Sequence, residues 1–126
     1  MPQFLQLQSF HESKGSLTVL EDNIPFAIKR VFYIYNVDYA VRGNHRHHKT
    51  IQAAICIKGS CRISNDNGNS VEHFLLDHPE KCLILYPEDY HWMYDFSEDA
   101  ILLVLASELY DPKDYIYEPY RAMDSL

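Results

Sequence analysis

Thr50-Ile-Gln-Ala-Ala-Ile-Cys-Ile-Lys58, Gly59-Ser60, Cys61-Arg-Ile-Ser-Asn65, Asp66-Asn-Gly68-Asn69 and Val71-Glu-His-Phe-Leu75 follow one another with almost no spare residue. The runs are short and rich in β-branched and aromatic side chains, and turn-forming residues separate them, as strands are punctuated. Gly59-Ser60 and the Asn65–Asn69 stretch, with its Asn-Gly pair, read as tight hairpin connections. Working outward, the same texture recurs at Ser16–Glu21, Arg30–Val37, Lys81–Leu85 and Ala100–Ala106. No window of twelve or more residues keeps a helical period with caps, apart from a short turn near Asp111-Pro-Lys-Asp114. Seven or more short strands predict an all-β sandwich, jelly roll or small barrel.

The chain has 126 residues, 47% hydrophobic and 23% charged, which are ordinary globular values and fit a single domain over 1–126. Neither a linker nor a repeat divides it. No apolar run approaches a membrane span. Met1-Pro-Gln-Phe-Leu-Gln-Leu-Gln8 has no basic n-region, so it does not read as a signal peptide, and a cytoplasmic location is expected. Cys56, Cys61 and Cys82 are odd in number and lack a CxxC spacing, so buried free thiols are expected rather than a disulfide framework. The net charge of -7 argues against a nucleic-acid partner. Its distribution is uneven: residues 1–60 balance at +3 and residues 61–126 at -10, which would put a small anionic ligand with the N-terminal half.

Three of seven histidines fall in Arg42-Gly-Asn-His45-Arg-His47-His48-Lys49. Side chains alternate in an extended segment, so His45 and His47 share one face while Arg46 and His48 take the other. Downstream, Pro87-Glu-Asp-Tyr-His91 sets a further histidine at the start of a strand.

These two blocks, with Gly59 between them, resemble the cupin superfamily, whose jelly-roll barrels carry an HxH pair and a second block with a proline and a histidine. Metal-binding cupins place a Glu ligand where this chain has Gln52, a neutral amide. His45, His47 and His91 could still form a three-histidine metal site. The closer resemblance runs from about Ser13 to Ala122. Lys14-Gly-Ser-Leu17, Ile24-Pro-Phe-Ala-Ile-Lys-Arg-Val-Phe-Tyr-Ile34, Arg42-Gly-Asn-His45-Arg-His47, Lys58-Gly-Ser-Cys-Arg62, His91-Trp-Met-Tyr-Asp-Phe96 and Val104-Leu-Ala-Ser-Glu-Leu-Tyr-Asp111 look like the WxcM-like cupins. That family includes the dTDP-4-dehydro-6-deoxyglucose 3,4-ketoisomerases, which feed amino sugars into bacterial surface glycans. Two departures are Lys14, where the family usually has Arg, and His48, where Lys is common.

The resemblance implies a cupin jelly-roll barrel, a strand-exchanged homodimer with the N-terminal strand of about residues 1–10 passed between subunits, and a dTDP-linked keto sugar as substrate. It implies neither cofactor nor metal. Moving a ketone from C4 to C3 requires removal of the C3 proton, an enediol, and a proton returned at C4. Imidazole suits both directions near neutrality. By resemblance His45 and His47 match the catalytic pair, and Tyr33 and Arg42 match residues lining the site. Tyr33 would relay a proton, Arg42 and Lys14 would meet the diphosphate, and His91 would wall the pocket or assist. Two alternatives stand beside this reading: a metal-dependent cupin enzyme, selected by stoichiometric metal, and a non-catalytic sugar-binding cupin, selected by nucleotide binding without proton exchange.

Overall fold

A computed structural model describes residues 2–122. The strands are β1 (Gln3–Gln6), β2 (Ser9–Glu12), β3 (Gly15–Thr18), β4 (Arg30–Tyr35), β5 (Arg42–His47), β6 (Gln52–Lys58), β7 (Cys61–Asp66), β8 (Val71–Leu76), β9 (Lys81–Leu85), β10 (Tyr90–Tyr94), β11 (Ile101–Ala106) and β12 (Tyr115–Ile116). One five-stranded sheet has the order β1-β9-β6-β11-β4, a second has the order β12-β5-β10-β7-β8, and β2 and β3 form a separate hairpin. A 3-10 turn at Pro112–Asp114, capped by Asp111, stands where the sequence predicts a short turn.

The main core lies between the two sheets. Ile34, Ala54, Cys56, Leu83, Leu85, Leu102 and Val104 of the first sheet meet Cys61, Ile63, Leu76 and Met93 of the second. On the outer face of the first sheet a second cluster gathers Leu7, Ile24, Ala53, Ile55, Cys82, Ile84 and Leu105 under Leu20 and Phe26. Burial on both faces explains why β6 and β9 read as continuous apolar runs rather than alternating ones. All three cysteines are buried free thiols, as expected.

Two connections differ in kind. β7 and β8 form the expected hairpin across Asn67-Gly68, where Asp66 and Asn67 side chains accept backbone N–H groups of the turn. Gly59-Ser60 is not a hairpin: β6 pairs with β9 and β11, β7 with β8 and β10, so this turn carries the chain from one sheet to the other. Local sequence marks a reversal in both cases, but strand partners are set by long-range burial. Gly59 is forced there, with φ +70° and a Cβ position only 2.2 Å from Ser97 Oγ. The expected N-terminal strand is also present, and in this single chain β1 pairs with β9 of the same chain.

Candidate active site

β5 and β10 lie side by side in the second sheet, and their pairing places His45 opposite His91. The register then slips: Trp92 pairs with Gly43, leaving Asn44 as an extra residue. Gly43 and Asn44 both have positive φ, +91° and +59°, so the strand bulges directly before the histidine pair. A Cβ on Gly43 would lie 3.0 Å from the His91 carbonyl oxygen, so the close approach of the two strands also needs glycine.

The expected alternation holds for β5. The His45 and His47 rings meet edge to face at 4.9 Å, and the His91 ring lies 4.8 Å from His45 and 6.2 Å from His47. Arg46 turns away and stacks over Tyr120. A cavity of about 530 Å³ opens on this cluster, bordered by His45, His91, Arg42, Arg30, Gln52 and Tyr115 among others. Among the described residues no group of three or more His, Cys, Asp or Glu is arranged to hold a metal ion.

Burial keeps the imidazoles neutral. His45 titrates below its ordinary value because burial desolvates it, against a backbone hydrogen bond that favours its charged form. Burial, then the neighbouring His45, lowers His47 to about 4, with Asp114 opposing and Arg30 adding to the fall. His91 drops to about 3, again chiefly through burial. The ring tautomers follow from the partners. His45 Nδ1 lies 3.1 Å from the Gly43 carbonyl and His91 Nδ1 3.1 Å from the Asp89 carbonyl. A carbonyl only accepts, so each Nδ1 carries the proton and each Nε2 keeps a lone pair. His47 Nε2 is buried without a hydrogen-bond partner.

The other sequence candidates divide. Arg42 and His91 border the cavity. Tyr33 borders it only at the edge: its ring is 63% exposed and stacks on Tyr35 at 5.8 Å. The cause is register, because Phe32 and Ile34 turn toward the core and send Val31, Tyr33 and Tyr35 to the opposite face. Lys14 lies away from the histidine cavity of this single chain. It sits in the β2–β3 turn beside Phe10, Glu12 and Leu17, in a separate depression that shares no residue with the histidine cavity.

Three contributors were not singled out from sequence. Arg30 precedes Phe32 and Ile34 on the inward face of β4 and borders the cavity. Tyr115, paired with His47 across β12 and β5, lies 4.7 Å from the His45 ring and 4.8 Å from the His47 ring. Asp114, 4% exposed, accepts from the Lys49 backbone N–H at 2.9 Å and from the Thr50 hydroxyl, and its own carbonyl accepts from His48 N. Alternation could have flagged Arg30; Tyr115 and Asp114 follow the Asp111-Pro turn, and nothing local tells that this segment folds back on the histidines.

These features have counterparts. A family model described as WxcM-like, C-terminal (FdtA) matches residues 2–125. A TDP-4-oxo-6-deoxy-alpha-D-glucose-3,4-oxoisomerase from Aneurinibacillus thermoaerophilus is 45% identical over 108 residues, covering 83% of this chain and 78% of its own. Among solved structures, a double mutant of the QdtA 3,4-ketoisomerase from Thermoanaerobacterium thermosaccharolyticum, in complex with TDP, superimposes with a TM-score of 0.90 at 39% identity, covering 93% of this chain and 87% of that one. A histidine-to-asparagine mutant of QdtA, in complex with TDP-4-keto-6-deoxyglucose, gives a TM-score of 0.90 at 38% identity over the same shares. By the extent of these matches, and with the expected jelly roll in place, the chain belongs to the WxcM-like, C-terminal (FdtA) family.

Proposed function

We propose that this chain is a sugar-nucleotide 3,4-ketoisomerase, converting a dTDP-linked 4-keto-6-deoxyhexose to the 3-keto isomer in deoxysugar biosynthesis. The observation that carries the chemistry is the pair of imidazoles of His45 and His47, packed edge to face, with His45 bordering the cavity and His47 buried against its ring. A neutral imidazole is a base at pH 7, and its conjugate acid, open to exchange with solvent, is a proton donor, so one pair serves both halves of the reaction. His45 is the better C3 base, since its Nδ1–H is held by the Gly43 carbonyl, which supports positive charge on the ring. The His45 imidazolium so formed delivers a proton at C4, and His47, packed against it, supports that ring. Arg42 at the cavity edge suits the diphosphate, for which a guanidinium offers paired donors. Tyr33 at the same edge has a hydroxyl within range of solvent and of a ligand entering there.

The reading extends to a homodimer working in the cytoplasm. Phe10 and Leu17 on the β2–β3 hairpin are 54% and 59% exposed, and Val31, Tyr33 and Tyr35 form an exposed apolar row on β4. A second copy covering such surfaces is the usual resolution. Exchange of the first ten residues would replace the β1–β9 pairing within one chain by the same pairing between two. Among the described residues no helix is long and apolar enough to cross a membrane.

Proton NMR of chelator-treated protein with dTDP-4-keto-6-deoxyglucose in deuterium oxide tests the proposal. The expected result is a 3-keto product with deuterium at the migrating position, lost in His45→Asn and His47→Asn. Turnover that requires added metal, or nucleotide binding with neither exchange nor product, would refute it. Light scattering of the same sample reads the dimer.

A further inference from the structure

The ketone shift needs two kinds of proton movement, and the histidines account for one. A proton leaves C3 and another arrives at C4; in addition the proton on O3 must leave as one arrives on O4. The second exchange runs between neighbouring oxygens and calls for a group that donates and accepts at once. A phenol does both.

Resting on the ketoisomerase reading, we infer that Tyr115 is the catalytic phenol that passes a proton between the two vicinal oxygens of the enediol, with Arg30 as its positioning residue. Tyr115 lies against both imidazoles, at 4.7 and 4.8 Å between ring centroids, and borders the cavity. Arg30 Nη1 donates to its hydroxyl oxygen at 3.4 Å. The guanidinium is itself fixed between aromatic faces, 4.5 Å from the Phe32 ring and 5.2 Å from that of Tyr110. The ring has little freedom to drift. Asp114, the preceding residue, is tied to Lys49 and Thr50, and the following Tyr117 stacks on Tyr115 at 6.1 Å.

The step balances without any co-reactant. An imidazole takes the C3 proton, and the electron pair becomes the C3–C4 double bond as the C4 carbonyl takes negative charge on O4. The Tyr115 O–H bond breaks and its proton goes to O4. The phenolate oxygen, beside the Arg30 cation, then takes the O3 proton. As the C3 carbonyl forms, an imidazolium delivers a proton to C4, and every group returns to its starting state. Tyr33 and Tyr117 also border the cavity, but Tyr33 stacks on Tyr35 and Tyr117 approaches His45 only at 6.2 Å, whereas Tyr115 lies against both imidazoles.

The experiment follows two rates in deuterium oxide for wild type, Tyr115→Phe and Arg30→Gln: deuterium entry at C3 of the 4-keto substrate, and appearance of the 3-keto product. With the phenol gone, the histidines still form and reverse the enediolate, so exchange at C3 persists. Product formation falls about 100-fold, a typical contribution of a proton-transfer group. Arg30→Gln shows the same split at about 10-fold, and the double variant falls short of the product of the two, as coupled groups do. Equal loss of exchange and product in Tyr115→Phe, or loss of neither, overturns the relay while wild-type turnover leaves the ketoisomerase standing. Wild-type protein that neither exchanges nor isomerises overturns both. Thermal melts of each variant guard against misfolding, since Tyr→Phe removes one oxygen and keeps the ring.

Discussion

Replacing Asp114 with alanine removes the acceptor for two donors, the Lys49 backbone N–H and the Thr50 hydroxyl, at a site only 4% exposed. Hydrogen bonds to a charged acceptor contribute about 1.5–3 kcal/mol each, and the two share one carboxylate, so about 3 kcal/mol is the expected loss. Unfolding entropy of about 2.1 cal/mol/K per residue makes 1 kcal/mol worth about 4 °C in a chain of this length. The melting temperature should therefore fall by about 12 °C. Asp114→Asn keeps one acceptor and should lose less than half as much. The variants separate structure from charge. Burial works against the Asp114 carboxylate, but hydrogen bonds from Thr50 and Lys49, and the nearby His47, hold its titration below the ordinary range. Its contribution is thus complete above about pH 4 and is lost as pH falls through the depressed value. Asn removes the charge that favours protonated His47, so the acid limb of the rate profile should move to lower pH in Asn as well as in Ala. Scanning calorimetry and a pH–rate profile read both effects. An alanine variant melting within 2 °C of wild type, or an acid limb unmoved in Asp114→Asn, would refute the reasoning.

Gly59→Ala places a methyl group 2.6 Å from Asp99 Oδ1 and 2.9 Å from Ala100 Cα, at φ +70°. Left-handed strain plus overpacking predicts a loss of about 2–4 kcal/mol in urea unfolding, and a value under about 1 kcal/mol would show that the crossover can relax. Acid should also unfold the protein through the buried imidazoles. His47 and His91 are lowered to about 4 and about 3 in the folded state, so between about pH 6 and those values the unfolded chain binds more protons. Stability is full above about pH 6.5 and falls on the order of 2 kcal/mol per pH unit near pH 5, a slope that His91→Asn should roughly halve. An unchanged slope in that variant would count against neutral burial of His91.

The order of strands was legible because burial writes itself locally. Val71–Leu76 and Lys81–Leu85 match their sequence runs within a residue, and the two-residue alternation of His45 and His47 survived the bulge beside them. What escaped was pairing and direction. Gly59-Ser60 turns the chain in either a hairpin or a crossover, and the choice depends on whether β6 buries more by joining β9 and β11 or by pairing with β7. Tyr33 alternates with Phe32 and Ile34 along β4, but which side of the strand faces the cavity depends on the core those two residues fill. The hairpin that carries Lys14 stands apart from both sheets of its own chain, so local sequence does not say what it packs against. Tyr115 and Asp114 reach the site only because β12 docks on β5, a contact across about 70 residues of sequence that no local pattern announces.

Low proton affinity in the resting site looks at first like a handicap for a base, and the geometry shows why it is not. Burial disfavours the protonated form of all three imidazoles, so the base form is the favoured one at pH 7. Abstracting a proton would then create a cation in a poorly solvated cavity already holding Arg30, which is unfavourable unless negative charge appears at the same moment. The enediolate oxygen is that charge. It forms in step with the imidazolium, and a pair of opposite charges in low dielectric stabilises both partners far more than either is stabilised alone. In the proposed relay the Tyr115 hydroxyl, held by Arg30, meets that oxygen, so the interactions that count would be absent in the neutral ketone and present in the transition state. Burial, which costs the free imidazoles their proton affinity, is therefore also what makes the enediolate–imidazolium pair strong, and a variant that lets water into the cavity should raise the histidine titrations while slowing the reaction.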